Sequence, residues 1–200
     1  MKIEARKQTG FSQIYQEKSA LRALSHLTCV PKILFEGHVT GGSQAIITDF
    51  VGQPLESWIS DNSDINDYTL FQIILDLWSC LEQIHSNCYA HGDVAIRNVI
   101  RRNERFYLID FGLANMLQLR SDPCQAIVQD YIRLCQIIGI IKFGRKMLLL
   151  ELMDKLDGEL KQFVASVEEA SRWKIKKLLE KFSNEIDRKY HHLPSKPLWV

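Results

Sequence analysis

An α+β fold, with strands gathered in the first third and helices dominating the rest, is what these 200 residues predict, and three observations carry that reading. Two short β-like runs, Lys32 to Phe35 and Ala45 to Val51, flank Gly37 and the turn pair Gly41-Gly42, the pattern of a hairpin with a longer loop. Leu70, Ile74, Leu77, Leu81 and Ile84 recur at steps of four and three, and Phe71, Leu75 and Trp78 widen that stripe into a face that must be buried. From Ile127 onward the pattern is helical throughout, with Ile127 to Ile141 apolar on most sides. Composition agrees, since 46% apolar and 10% aromatic residues suffice for a substantial core and exclude a disordered or collagen-like chain.

The elements follow in order. Ile14, Ala20, Leu21, Leu24 and Leu27 recur near helical spacing and Pro31 lies just beyond, so Tyr15 to Leu27 reads as the first helix. After the hairpin, the polar run Ser60 to Asp67 reads as a loop before the long striped helix. Val99-Ile100 and Phe106 to Ile109 then flank the polar turn Arg102 to Arg105, which predicts a second, smaller hairpin.

Lys+Arg 25 against Asp+Glu 24 leaves a formal net charge of +1, so no overall field exists to hold a polyanion or an anionic membrane surface. The long apolar stretches are interrupted by Arg133, Lys142 and Glu151, and the opening residues lack an apolar h-region, so neither a membrane span nor a secretory signal is expected. The five cysteines (Cys29, Cys80, Cys88, Cys124, Cys135) are odd in number and form no C-x-x-C pair, which fits reduced thiols in an intracellular protein, cytoplasmic or nuclear. The basic run Arg172, Lys174, Lys176, Lys177, Lys181 reads as a solvated helix face rather than a nucleic-acid contact. His85, His191 and His192 have no ligand partners at metal spacing and read as structural.

Chemistry concentrates in His91-Gly-Asp93-Val-Ala-Ile-Arg97-Asn98 and, after eleven intervening residues, Asp110-Phe111-Gly112. This fits H-x-D-x-x-x-x-N with D-F-G downstream, and the chance expectation for such a pair in a chain of this length is on the order of 10⁻⁵ to 10⁻⁴ at ordinary residue usage. Phosphoryl transfer from ATP is mostly positioning and charge stabilisation, so it needs a carboxylate near the attacking hydroxyl and oxygen ligands for Mg²⁺. Asp93 suits the first task, and Asn98 with Asp110 the second. The short loop from Asp93 to Asn98 can turn both side chains to one cleft, and the hairpin between Asn98 and Asp110 brings the second metal ligand back beside the first.

On these motifs the chain resembles the protein kinase-like superfamily over most of its length. The resemblance implies a two-lobed fold in a single domain: a reduced β-rich small lobe with its hinge over residues 1–52 and a mainly helical large lobe over 53–200. Glu17 resembles the helix glutamate that orients an ATP-binding lysine, for which Lys2 and Lys7 are the candidates, with neither as the third option. Ile46-Ile-Thr-Asp-Phe-Val-Gly52 resembles the fifth strand and hinge, with Thr48 in the gatekeeper place and the backbone of Asp49, Phe50 and Val51 facing adenine. Asp130, at the head of the apolar helix, resembles the aspartate that anchors the catalytic loop's backbone.

Departures from the family pattern narrow the resemblance. Gly92 stands where the catalytic loop usually has arginine, as in small atypical kinases similar to the Bud32/PRPK and RIO groups and in aminoglycoside phosphotransferases, so control through a phosphorylated activation loop is not expected. Seventeen residues, Leu113 to Gln129, separate Gly112 from Asp130 with no A-P-E motif. Arg97 resembles the placement in tyrosine kinases, and Ala95 replaces the lysine of serine/threonine kinases. Gly10 is the sole glycine before Glu17, so a small lobe without a Gly-rich phosphate lid, and weak activity, are expected.

The resemblance implies ATP- and Mg²⁺-dependent phosphoryl transfer to a hydroxyl, with Asp93, Asn98 and Arg97 catalytic, Asn98 and Asp110 binding metal, and Glu17, Lys2, Asp49 and Val51 at the nucleotide. The partners it implies are ATP and a protein substrate or partner kinase. A pseudokinase acting by binding another kinase or its substrate is one alternative reading. An aminoglycoside-type small-molecule kinase is the second.

Overall fold

The computed structural model describes residues 2–4, 13–39, 43–62 and 65–172. Lys7, Gly10, the pair Gly41-Gly42, the basic run beyond Arg172, His191 and His192 lie outside the described residues. The α+β character holds.

The predicted hairpin is present as β2 (Ile33–His38) and β3 (Gln44–Thr48), antiparallel, with Glu36 opposite Ile46 and His38 opposite Gln44. A third strand, β1 (Lys2–Glu4), adds to the other edge of β3 and sets the backbone of Lys2 opposite Ile46. Helix α1 (Gln13–Ala23) packs against this sheet through Ile14, Glu17, Ala20 and Leu21. It stops four residues before the predicted end, because Leu24 to Leu27 close in tight turns that still bury Leu24.

Beyond the short strand β4 (Gln53–Pro54) the chain turns helical. Helix α2 (Leu55–Asp61) buries only Leu55 and runs into the stretch expected to be loop. With one buried residue in seven it leaves no stripe in the sequence, which is why it was illegible. Helix α3 (Asp67–Ser86) is the expected striped helix, capped by the Asn66 side chain accepting from the Thr69 N–H. Its buried face carries Leu70, Ile74, Leu77, Leu81 and Ile84 and packs on α4 (Pro123–Phe143).

The second hairpin is β6 (Val99–Arg102) and β7 (Arg105–Leu108), with Asn103 and Glu104 both at positive φ in the turn. β4 extends it on the β6 side. Asp76 of α3 fastens it from below: its carboxylate accepts from the Gln72 side chain at 2.9 Å, Arg105 at 2.8 Å and the Phe106 N–H at 3.1 Å. A two-stranded ladder, β5 (Tyr89–Ala90) with β8 (Asn115–Met116), closes the stretch between them.

The C-terminal part is not helical throughout. α4 begins earlier than the apolar run, with Pro123 in its first turn and Asp122 capping the Gln125 N–H, and ends at Gly144 in the left-handed conformation. α5 (Leu149–Lys155) and α6 (Gly158–Arg172) follow, separated by Leu156 and Asp157, and Gly158 at the start of α6 also has positive φ. Among the described residues, α4 is the helix long and apolar enough to cross a membrane by length and composition. Here it packs against α3, α5 and α6, and buries Tyr131, Leu134, Cys135, Ile137 and Ile138.

Candidate active site

Three pieces of chain build the site: the loop from His91 to Asn98, the segment Asp110 to Gly112, and the second turn of α4. Because α4 starts at Pro123, Asp130 lies inside the helix and not at its head. It is fully buried, and a carboxylate taken out of water needs donors on its oxygens. Two come from the loop: the His91 N–H donates to Oδ2 at 2.8 Å and the Gly92 N–H to Oδ1 at 2.9 Å. The His85 ring adds Nε2 at 3.0 Å, so His85 is structural, as expected, but structural to this loop. One turn along α4, the Arg133 guanidinium donates to the Gly92 carbonyl.

His91 is the pivot of the loop. Its Nδ1 accepts the Asp93 N–H at 3.3 Å and its Nε2 faces the Ile109 carbonyl at 3.2 Å, which assigns a neutral ring with the proton on Nε2. Burial holds its pKa below the ordinary histidine value, against the opposing pull of Asp130, Asp93 and Asp110. Phe111 is fully buried with its ring centroid 4.8 Å from that of His91.

Asp93 is held by residues the loop folds back on it. A 3₁₀ turn over Ile96–Asn98 returns the chain, so that Arg97 donates to both carboxylate oxygens at 2.9 and 2.7 Å. Asn98 is buried, and its Nδ2 donates to Asp93 Oδ2 and to the Asp93 carbonyl, each at 2.9 Å. With the nitrogen turned inward, the carboxamide oxygen is the atom Asn98 has for a cation.

The β6–β7 hairpin completes the return. The Ile109 N–H donates to the Asn98 carbonyl at 2.9 Å, and Asp110 is the next residue. Its φ of 64° is a left-handed value that few non-glycine residues adopt, and backbone held in such a region clusters at functional sites. The Gly112 N–H donates to Asp110 Oδ1 at 3.2 Å.

Of the residues expected at a nucleotide, Glu17 is buried on α1 among Ile14, Ala20 and Leu21. A neighbour unnoticed in the sequence, Gln16, ties α1 to the chain after Gly112: its amide donates to the Ala114 carbonyl at 3.0 Å and lies 3.3 Å from Asn115 Oδ1. Asp49 pairs with Lys32 through both backbone and side chain, its N–H donating to the Lys32 carbonyl at 3.0 Å and its Oδ1 accepting the Lys32 N–H at 2.7 Å. Any ligand contact from the Asp49 backbone is therefore through its carbonyl. Val51 is exposed, and Phe50 meets Tyr107 edge-on at 5.1 Å.

On the α4 side of the loop lies a cavity of about 460 Å³, with Gly92, Asn115, Arg120, Gln125, Gln129 and Arg133 among its walls. Among the described residues no group of three or more His, Cys, Asp or Glu side chains could hold a metal ion. Asn98 and Asp110 supply two oxygen donors, which fits a hard cation that completes its shell with phosphate and water rather than a resident metal.

Beside this oriented aspartate, adjacent carboxamide and returning aspartate, sequence comparison gives the class of the chain, a kinase-like phosphotransferase. The family described as protein tyrosine and serine/threonine kinase matches residues 1–132, and the chain belongs to it. It is 24% identical over 193 residues to the probable serine/threonine-protein kinase YbdM of Bacillus subtilis (strain 168), covering 96% of this chain and 72% of that protein. It is 29% identical over 66 residues to the probable serine/threonine-protein kinase FPV212 of Fowlpox virus (strain NVSL), covering 32% of this chain and 22% of that protein.

Proposed function

We propose that the chain is an ATP- and Mg²⁺-dependent phosphotransferase that moves the γ-phosphoryl group to a hydroxyl of a protein serine, threonine or tyrosine. The observation that carries this reading is the Asp93–Arg97–Asn98 cluster, with Asp110 the residue that follows the Ile109 N–H to Asn98 carbonyl hydrogen bond. Asp93 orients the acceptor hydroxyl and takes its proton. Arg97 and Asn98 keep the Asp93 carboxylate from rotating away, and Arg97, more than half exposed, is the group placed to give way when an acceptor arrives. Asn98 and Asp110 hold Mg²⁺, which when bound neutralises charge on the phosphates. Glu17 partners a lysine at the nucleotide, with Lys2 on β1 the candidate, and the Asp49 to Val51 backbone faces adenine.

The same reading divides the domain at about residue 52 into a β-rich small lobe and a helical large lobe, with the finer kinship to the Bud32/PRPK and RIO groups resting on Gly92 and the short Leu113 to Gln129 segment. Five free thiols support an intracellular setting.

Labelled ATP tests it. Wild type is expected to bind Mg²⁺·ATP and to transfer phosphate to itself or to a generic acceptor protein. Asp93→Ala should keep nucleotide affinity and lose turnover by about 10²-fold or more, the usual scale for removing a positioned acid–base group. Asp110→Ala should lose the Mg²⁺-dependent part of ATP binding. An Asp110→Ala variant with unchanged Mg²⁺·ATP affinity would overturn the metal assignment.

A further inference from the structure

We propose that Arg133 is a positioning residue for Asp93: from α4 it clamps the peptide that joins Gly92 to Asp93, and so sets where the catalytic carboxylate points. The inference rests on the proposed role of Asp93. It starts from a weakness in the loop. Gly92 has φ +78°, and a Cβ built there would run into the Leu113 carbonyl oxygen, so only glycine fits. The residue immediately before Asp93 is therefore the one with the widest freedom to swing.

That freedom is removed from outside, group by group. The Gly92 N–H is taken by Asp130 Oδ1, and the Asp93 N–H by His91 Nδ1. The Gly92 carbonyl, on the same peptide as the Asp93 N–H, is taken by Arg133. Asp130 and Arg133 are three residues apart on α4 and so share a face. One rigid helix thus offers an acceptor and a donor at the spacing needed to grip the amide and the carbonyl of one glycine. Arg133 is half-buried beside the cavity, where a charge-assisted bond to a carbonyl is stronger than in water.

Removing the clamp should misdirect the carboxylate without touching ATP. The test compares wild type, Arg133→Met and Arg133→Lys in the full chain by labelled-ATP kinetics and by amide hydrogen exchange over residues 91–95. Arg133→Met is expected to lower kcat about tenfold to a hundredfold, the scale of a small misplacement of a reacting group, with KM for ATP changed less than about threefold. Exchange over 91–95 should quicken in the same variant, and Arg133→Lys, which keeps a donor, should recover part of both. Wild-type kcat and exchange in Arg133→Met overturn the proposal, and so does a loss of kcat with unaltered exchange. Should Arg133→Met fail to fold, Arg133→Lys and Arg133→Gln carry the same two readings. If wild type transfers no phosphate, the phosphotransferase reading fails, and exchange over 91–95 still decides whether Arg133 holds the peptide.

Discussion

Position 92 admits one residue. Its φ of +78° costs any L side chain about 1 to 2 kcal/mol, and the Leu113 carbonyl occupies the space a Cβ needs. Gly92→Ala should therefore lower stability by at least about 1 kcal/mol in urea unfolding, and depress phosphoryl transfer more than nucleotide binding. The sequence marks this glycine only as a departure from the family pattern; the reason for it, the carbonyl of a residue twenty-one positions away, lies in the fold. Asp93, Asn98 and Asp110 stand out in the sequence because they fit the H-x-D-x-x-x-x-N and D-F-G motifs, and the structure sets them on a loop and just past the hairpin that follows it. Arg133 and Gln16 do not, since a single arginine in an apolar helix and a single glutamine among the polar residues of α1 carry no pattern until their partners come near.

Among elements, the long striped helix and both hairpins were readable from periodicity and turn residues, with ends displaced by a few positions. The start of α4 was misjudged because its first turn, Pro123 to Ala126, is largely exposed and lies outside the apolar run that marks the rest. That error moved Asp130 from the interior of the helix to its head. The join between α3 and the β6–β7 hairpin depends on Asp76, whose burial pushes its carboxyl above the usual aspartate value although Arg105 and the Phe106 N–H pull it down. Asp76→Ala would strand Arg105 and a buried backbone N–H. It should cost about 2 to 3 kcal/mol, at or just below the low end for a broken buried pair because Arg105 is partly exposed, read by chemical denaturation.

For the whole molecule, His91 links stability to pH. Its folded pKa lies below the ordinary 6.5, so between the two values the unfolded chain binds more protons and folding is favoured as pH rises. Stability should be fully present above about pH 6.5 and decline as pH falls through and below it. Melting temperature measured from pH 7.5 to 5 checks this: the decline should flatten in His91→Gln, and an identical profile in that variant would assign the slope to other groups.

The β5–β8 ladder has a mechanical consequence. Tyr89 faces Met116 and Ala90 faces Asn115, and the Leu117 N–H donates to the Cys88 carbonyl at 2.7 Å, so residues 91–114 begin and end at one two-stranded neck. Both ends of the segment that carries Asp93, Asn98 and Asp110 are thereby fixed at one place, so a shift of either strand of the neck displaces the two ends of that segment together.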